Sequence, residues 1–292
     1  MKQLLHFIPL CLVCVFTPTM FAQTESAFQD QRRLLGLDIV GPVMQAGSDP
    51  ASDLFQRNDL AGFNDYIRSN WSAPGALVGL GAISLDPNAI VLNQEANVRA
   101  YYVSSSDSGG TRRQRNTLGF NVEDLSTETL SDSQLIFPAV WGKNTYYSDP
   151  TSLTKDPRTQ WRPLLRGDFV DLGTVGAGDR LNLFLANRPG GTRGNTNYYS
   201  SDAAANPDQL NHMVAFAIPD SPFILLGFED PYSRDSNDFN DNIFAFNIGV
   251  SNVNYLANPE PSFWLMMGAL CGLGVWLYRR QQGTAASPDL AA

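Results

Sequence analysis

Short apolar runs bounded by Gly, Asp, Asn and Pro occupy most of the chain after residue 76. They fall at 77–84, 97–104, 117–123, 134–140, 168–175, 180–186, 212–218, 222–228 and 242–249. Within several of them polarity alternates. Val98, Ala100, Tyr102 and Ser104 interleave with Arg99, Tyr101 and Val103, and Leu181, Leu183 and Leu185 lie opposite Asn182 and Phe184. A period of two with frequent turns predicts antiparallel strands. This many short strands in one stretch predict an all-β fold, an antiparallel β-sandwich or jelly-roll-like domain. The chain carries no internal repeat long enough for a solenoid. Gly109-Gly110 and Gly190-Gly191, beside arginine and polar residues, mark exposed loops.

The pattern before this region is different. From Ser52 to Trp71 the apolar residues Leu54, Phe55, Phe63, Tyr66 and Ile67 approximate a helical stripe, with Ser52 as its cap. The expected role of the stripe is to pack against the β domain. At the extreme N-terminus, Lys2 precedes an apolar stretch from Leu4 to Phe16, and Ala22 ends a cleavage site in Thr19-Met20-Phe21-Ala22, before Gln23, with a bulky Met20 at its −3 position. That is the layout of a secretory signal peptide. At the other end, Pro259-Glu260-Pro261 precedes sixteen apolar residues, Phe263 to Tyr278, and Arg279 and Arg280 follow at once. The run is just shorter than the roughly 17–25 residues of a comfortable membrane span. The paired arginines favour a cytoplasmic C-terminus with the large domain outside. Pro259, Glu260, Pro261, the short span and the Arg279–Arg280 stop together resemble the PEP-CTERM sorting signal. That resemblance implies a membrane-bound, exosortase-type processing enzyme as a partner. The expected organisation is a signal peptide at 1–22, a lead-in with one helix at 23–75, and a β domain at 76–250. A linker at 251–261, a C-terminal hydrophobic helix at 262–280 and a polar tail at 281–292 complete it.

Composition narrows the function. The formal net charge is −9. Without Lys2, Arg279, Arg280 and Asp289 the exported part stands at −11. Such a surface repels nucleic acid and attracts cations, so no nucleic-acid partner is expected. The three cysteines, Cys11, Cys14 and Cys271, all lie in the hydrophobic ends, which leaves the domain between them no disulfide. Only His6 and His212 are histidines, too few for a zinc site built from several imidazoles.

The densest candidate chemistry lies between two apolar runs. Glu229, Asp230, Asp235, Asn237, Asp238, Asn240 and Asp241 place seven oxygen-bearing side chains within thirteen residues, with Ser233 and Ser236 among them. Several carboxylates in one loop repel each other unless they are solvated or bridged by a cation. Calcium takes six to eight hard oxygen ligands in flexible geometry and suits such a loop better than magnesium. A solvated turn is the alternative, because Asp and Asn hydrogen-bond their own backbone in turns. The loop is not an EF-hand: counted from Asp235, the sixth position is Asn240 rather than Gly and the twelfth is Phe246 rather than Glu.

Phe228-Glu229-Asp230 and Asp238-Phe239-Asn240-Asp241 resemble the closing motif of domain-of-unknown-function family 4114. Ser233-Arg234-Asp235-Ser236 stands where that family has glycines and an aspartate. Asn97 to Val103, Asn116 to Phe120, Gly167 to Gly173 and Asn206 to Phe216 are similar to its earlier segments, so the resemblance spans about residues 95–250. It implies a secreted or surface protein and no established activity.

The reading that follows is an exported, non-enzymatic cell-surface or extracellular-matrix protein with a calcium-binding β domain. It is held at the membrane, at least for a time, by its C-terminal helix. A carbohydrate-binding module attached to exopolysaccharide is the alternative, with Tyr101, Tyr102, Tyr198 and Tyr199 as stacking candidates. A secreted hydrolase working through paired carboxylates is a third. His212, with Asp208 nearby but no Gly-x-Ser-x-Gly elbow, reads as a structural residue at a strand edge.

Overall fold

The computed structural model describes residues 36–63, 81–105, 115–140, 163–188, 197–229 and 239–258. The expected signal peptide at 1–22, the Pro259-Glu260-Pro261 motif, the C-terminal hydrophobic segment and Arg279–Arg280 lie outside these residues. Among the described residues no helix is long and apolar enough to cross a membrane.

In chain order the elements are β1 (Asp38–Ile39), α1 (Pro50–Leu54), β2 (Ile83–Leu85), β3 (Ala96–Ser105), β4 (Arg115–Asp124), β5 (Thr129–Leu130) and β6 (Gln134–Val140). Then come β7 (Phe169–Val175), β8 (Asp179–Arg188), β9 (Asn197–Ser200), β10 (Met213–Ala217), β11 (Phe223–Phe228), β12 (Asn242–Asn247) and α2 (Val250–Ala257). The strands form two sheets. Sheet A runs β2-β10-β11-β12-β3-β7, and sheet B runs β1-β6-β4-β8-β9 with β5 attached to β4. All pairs are antiparallel except β1 with β6. The expected strands between residues 97 and 249 all appear. Of the candidate at 77–84 only the end is described, and its strand is Ile83–Leu85. β1, β5 and β9 were not anticipated, because two to four residues are too few to show a period.

The sheets face each other across one core. Sheet B contributes Leu118, Phe120, Ile136, Phe137, Leu181, Leu183 and Leu185. Sheet A contributes Val98, Ala100, Tyr102, Val170, Ile224, Leu226, Phe228, Phe244 and Phe246. Sheet A is covered a second time on its other face. There Tyr101, Val103, Phe169, Phe223, Leu225, Ile243 and Ala245 pack under Phe55, Leu60 and Phe63. Phe55 stacks on Tyr101 with ring centroids 4.0 Å apart. This second layer explains why β11 and β12 read as continuous apolar runs while β8 alternates: a strand buried on both faces has no polar side to show.

The cover helix is fixed at its start by Asp49, not by the expected cap Ser52. Asp49 accepts from the Ser52 backbone N–H at 2.7 Å, while Ser52 Oγ accepts from the Asp49 N–H at 3.2 Å. This is a reciprocal capping box in which Ser52 is the third helical residue. After Leu54 the chain widens into one π-helical turn, Phe55–Asp59. Asp49 has a second use. Arg99, on β3, bonds Asp49 at 2.9 Å and Asp171 at 2.5 Å. Its guanidinium lies 4.2 Å from the centre of the Phe169 ring. Burial works against the arginine's charge, but its hydrogen bonds to Asp171 and Tyr101 outweigh that and hold its pKa above the ordinary value. β7 accommodates this pairing with a bulge between Gly173 and Asp171. Gly173 sits there at φ 87°, a conformation open to glycine. Nearby, the fully buried Asp168 accepts from the backbone N–H groups of Leu165 and Ala46. Met44 pairs with Phe169 along the edge of β7 that faces away from β3.

The fold therefore extends beyond the expected limits of 76 and 250. β1 and α1, placed in a lead-in by the sequence reading, are built into the two layers. Residues 251–257, read there as linker, form most of α2. Val253 and Ala257 join the main core. Asn252 exchanges hydrogen bonds with the backbone of Gln94, at 2.9 and 3.0 Å. Eight residues are too short for a helical stripe to stand out from a polar linker, and burial against the sheets supplies what the pattern lacks.

Phe55→Ala should lower the unfolding free energy by about 3–5 kcal/mol, because it empties the centre of the outer layer. Arg99→Met should cost about 2–3 kcal/mol by leaving Asp49 and Asp171 without their cation. Urea unfolding of each variant at neutral pH measures both.

Candidate functional site

The acidic segment connects β11 to β12 at one end of the sandwich. The last rung of that hairpin is Phe228 with Asn242, so Glu229 and Asp241 begin and end the loop immediately beyond it. Both carboxylate side chains are buried, at 5% and 6% exposure. The Glu229 backbone N–H donates to the His212 carbonyl at 3.0 Å, which continues the β10–β11 ladder by one residue. Its side-chain Oε2 accepts from the Phe239 N–H at 2.8 Å. Phe239 adopts φ 49°, a left-handed turn by which the returning chain comes back under Glu229. Asn240 is half-buried beside it.

Three of the seven candidate ligands, Glu229, Asn240 and Asp241, are thus brought to the base of the loop. Asp230, Asp235, Asn237 and Asp238 lie outside the described residues. Among the described residues, no group of three or more His, Cys, Asp or Glu side chains is placed to hold a metal ion. The chemistry of the base nevertheless suits a hard cation. It offers carboxylate and amide oxygens, and no sulfur or imidazole donor occurs in the loop sequence.

His212 closes the neighbouring corner. Its Nε2 pairs with Asp208 Oδ2 at 2.8 Å and its ring packs 4.1 Å from that of Tyr199. Its Nδ1 is buried without a hydrogen-bond partner, so no described hydroxyl or thiol is aligned with the imidazole as a nucleophile would be. Burial pushes the Asp208 carboxyl up, but the Leu210 N–H and His212 outweigh it and hold the pKa below the usual carboxylate range.

The tyrosines offered as sugar-stacking faces are placed differently from expectation. Tyr101, Tyr102 and Tyr199 are buried, at 1%, 3% and 4% exposure, and burial pushes the phenols of Tyr101 and Tyr102 up to about 12. Alternation predicts that one tyrosine of a pair on a strand is exposed. In β3 both are covered, because sheet A has a layer on each face. Of the four only Tyr198 is partly exposed. The sequence reading passed over a polar row on the outer face of sheet B, made by Asn121, Glu123, Arg180 and Asn182. Its only trace in the sequence is the polar half of the alternation in β4 and β8.

Glu229→Ala should destabilise the protein by about 1–3 kcal/mol by stripping the Phe239 N–H of its acceptor, and Glu229→Gln, which keeps an acceptor oxygen, by less. Chemical denaturation of the two variants tests the order. The Asp208 pKa is lowered on folding, so its contribution is full above the ordinary carboxylate range and is lost as pH falls through the folded value. Asp208→Asn should therefore flatten the acid side of the melting-temperature profile, from the ordinary carboxylate range downward.

Neither the curated proteins nor the solved structures contain a match to this chain. A family match does exist for its last strands, including the hairpin that carries the acidic loop. It is shorter than the stretch 95–250 read from the sequence and leaves β3 to β7 outside. Residues 176–249 match the family described as Domain of unknown function (DUF4114).

Proposed function

We propose that this chain is an exported, non-enzymatic cell-surface or extracellular-matrix protein whose β domain binds calcium through the loop between Glu229 and Asp241. The observation that carries the reading is the pair of buried carboxylates at the base of a loop that holds five more acidic or amide side chains. Glu229 and Asp241 are the fixed ligands in this account, with Asp230, Asp235, Asn237, Asp238 and Asn240 closing around the ion. The two-sheet domain is read as a jelly-roll-like sandwich. The N-terminal signal peptide directs export. Pro259-Glu260-Pro261 and Arg279–Arg280 bracket a membrane helix that an exosortase-type enzyme processes.

The direction of the hairpin supports this arrangement. β11 and β12 are six residues each, about 20 Å of strand. The acidic loop lies at one end of them, and Ile248, bonded to Pro222, leads into α2 at the other. A membrane segment following α2 would therefore leave from the end opposite the acidic loop, which would face the exterior. The hydrolase reading is less well supported, since Glu229 is buried and holds the loop backbone.

A cation that binds only the folded state stabilises it by RT ln(1 + [L]/Kd). A site of about 10⁻⁴ M, typical of extracellular modules, would add about 1.4 kcal/mol at millimolar calcium. Without a disulfide in the domain, that is a sizeable share. Melting of the full chain should move to higher temperature when millimolar calcium replaces EDTA, and Asp238→Ala and Asp241→Asn should each abolish the shift. Identical melting in EDTA and calcium would reduce the loop to a solvated turn.

A further inference from the structure

The outer face of sheet B carries a second constellation, independent of the acidic loop. Three alternate rungs of the β4–β8 ladder meet there: Gly119 with Phe184, Asn121 with Asn182, and Glu123 with Arg180. The alternate residues Leu118, Phe120, Val122, Leu181, Leu183 and Leu185 turn into the core. The three rungs span roughly 14 Å along the strands.

At the first rung the Phe184 ring lies across the Gly119 backbone. A Cβ at 119 would collide with Cζ of that ring and stand 2.6 Å from Cε2. Glycine here is therefore what lets an aromatic ring lie down on the sheet, and Phe184 is half-buried. Tyr198 of β9, also half-exposed, stands beside it with ring centroids 6.5 Å apart. The next two rungs are polar and mutually ordered. Asn182 Nδ2 donates to Asn121 Oδ1 at 3.1 Å and to Glu123 Oε2 at 3.3 Å. Asn121 Nδ2 donates to Ser133 Oγ at 3.2 Å, and Arg180 Nη1 to Glu123 Oε2 at 3.2 Å. Arg180 Nε has no hydrogen-bond partner.

We infer that this face is a binding shelf for a neutral polysaccharide. A sugar ring has an apolar C–H face, which suits a flat aromatic side chain, and a rim of hydroxyls that donate and accept. Amide, carboxylate and guanidinium groups held rigid by each other match that rim in both senses. Charge selects among polysaccharides. Glu123 and Arg180 cancel each other, so the shelf is neutral, in a chain whose net charge of −9 repels polyanions. The stacking role that the buried tyrosines cannot fill falls to Phe184 and Tyr198. The shelf deepens the surface-protein reading by naming what the exported domain holds, and it uses none of the acidic-loop ligands.

The test is affinity electrophoresis of the full chain, in calcium, through native gels containing dextran, a β-1,4-glucan, a galactomannan or anionic alginate. At least one neutral polymer should retard the protein. Phe184→Leu and Asn182→Ala should each weaken that retardation about tenfold, a loss on the scale of one aromatic or polar contact, with melting unchanged. Phe184→Leu still covers Gly119 but offers no aromatic face, so a ring that serves only the sheet would leave binding intact. Retardation by no neutral polymer, by alginate alone, or surviving both substitutions would overturn the shelf. The calcium reading is decided separately by melting, so either can fail without the other.

Discussion

Tyr101 and Tyr102 are neighbours on β3, point to opposite faces of sheet A and are both buried, so this sheet has to be covered twice. Everything else in the fold answers that requirement. Sheet B closes one face with its leucine rows. The turn of helix around Phe55 and Phe63 closes the other. A sheet with one bare apolar face would expose Phe223, Leu225, Ile243 and Ala245 together, a patch of the kind that drives association. The segment ahead of the strands is thus part of the domain, and its loss would expose the centre of the sheet.

Polar groups decide how these layers register. Arg99 ties the cap of the cover helix to β7 and lies over Phe169, so one side chain sets the position of three elements. Asp168, fully buried, does for the chain around Ala46 and Leu165 what a ladder would do in a regular strand, giving backbone N–H groups an acceptor. Both groups hold backbone or neighbouring carboxylates in place. Both make the placement of α1 unique, in a domain without a disulfide to impose it.

The same architecture keeps the two proposed binding regions apart. The loop end carries Glu229 and Asp241, with His212 and Asp208 bracing the adjacent corner. The opposite end carries the start of α2, where Ile248 bonds Pro222. The outer face of sheet B, clear of both, carries the aromatic and amide shelf.

The amino-acid sequence by itself determined the class of the protein: the alternation of β8 and the turn residues between runs specify antiparallel strands, and the acidic cluster between 229 and 241 is visible at once. It also carried the likeness to the domain family, through Phe228-Glu229-Asp230 and Asp238 to Asp241. What it did not determine was which apolar residues share a layer. A run such as Phe223 to Phe228 has no polar face, so its pattern is silent about what lies on either side. The partners of Arg99 are 50 and 72 residues away, and no local period reports them. The same holds at the sites. That Glu229 is buried against the returning chain, that three of four tyrosines are core, and that Asn121, Glu123, Arg180 and Asn182 meet in one row were decided by tertiary pairing. Register across strands distant in sequence places side chains together, and register is a property of the assembled sheet.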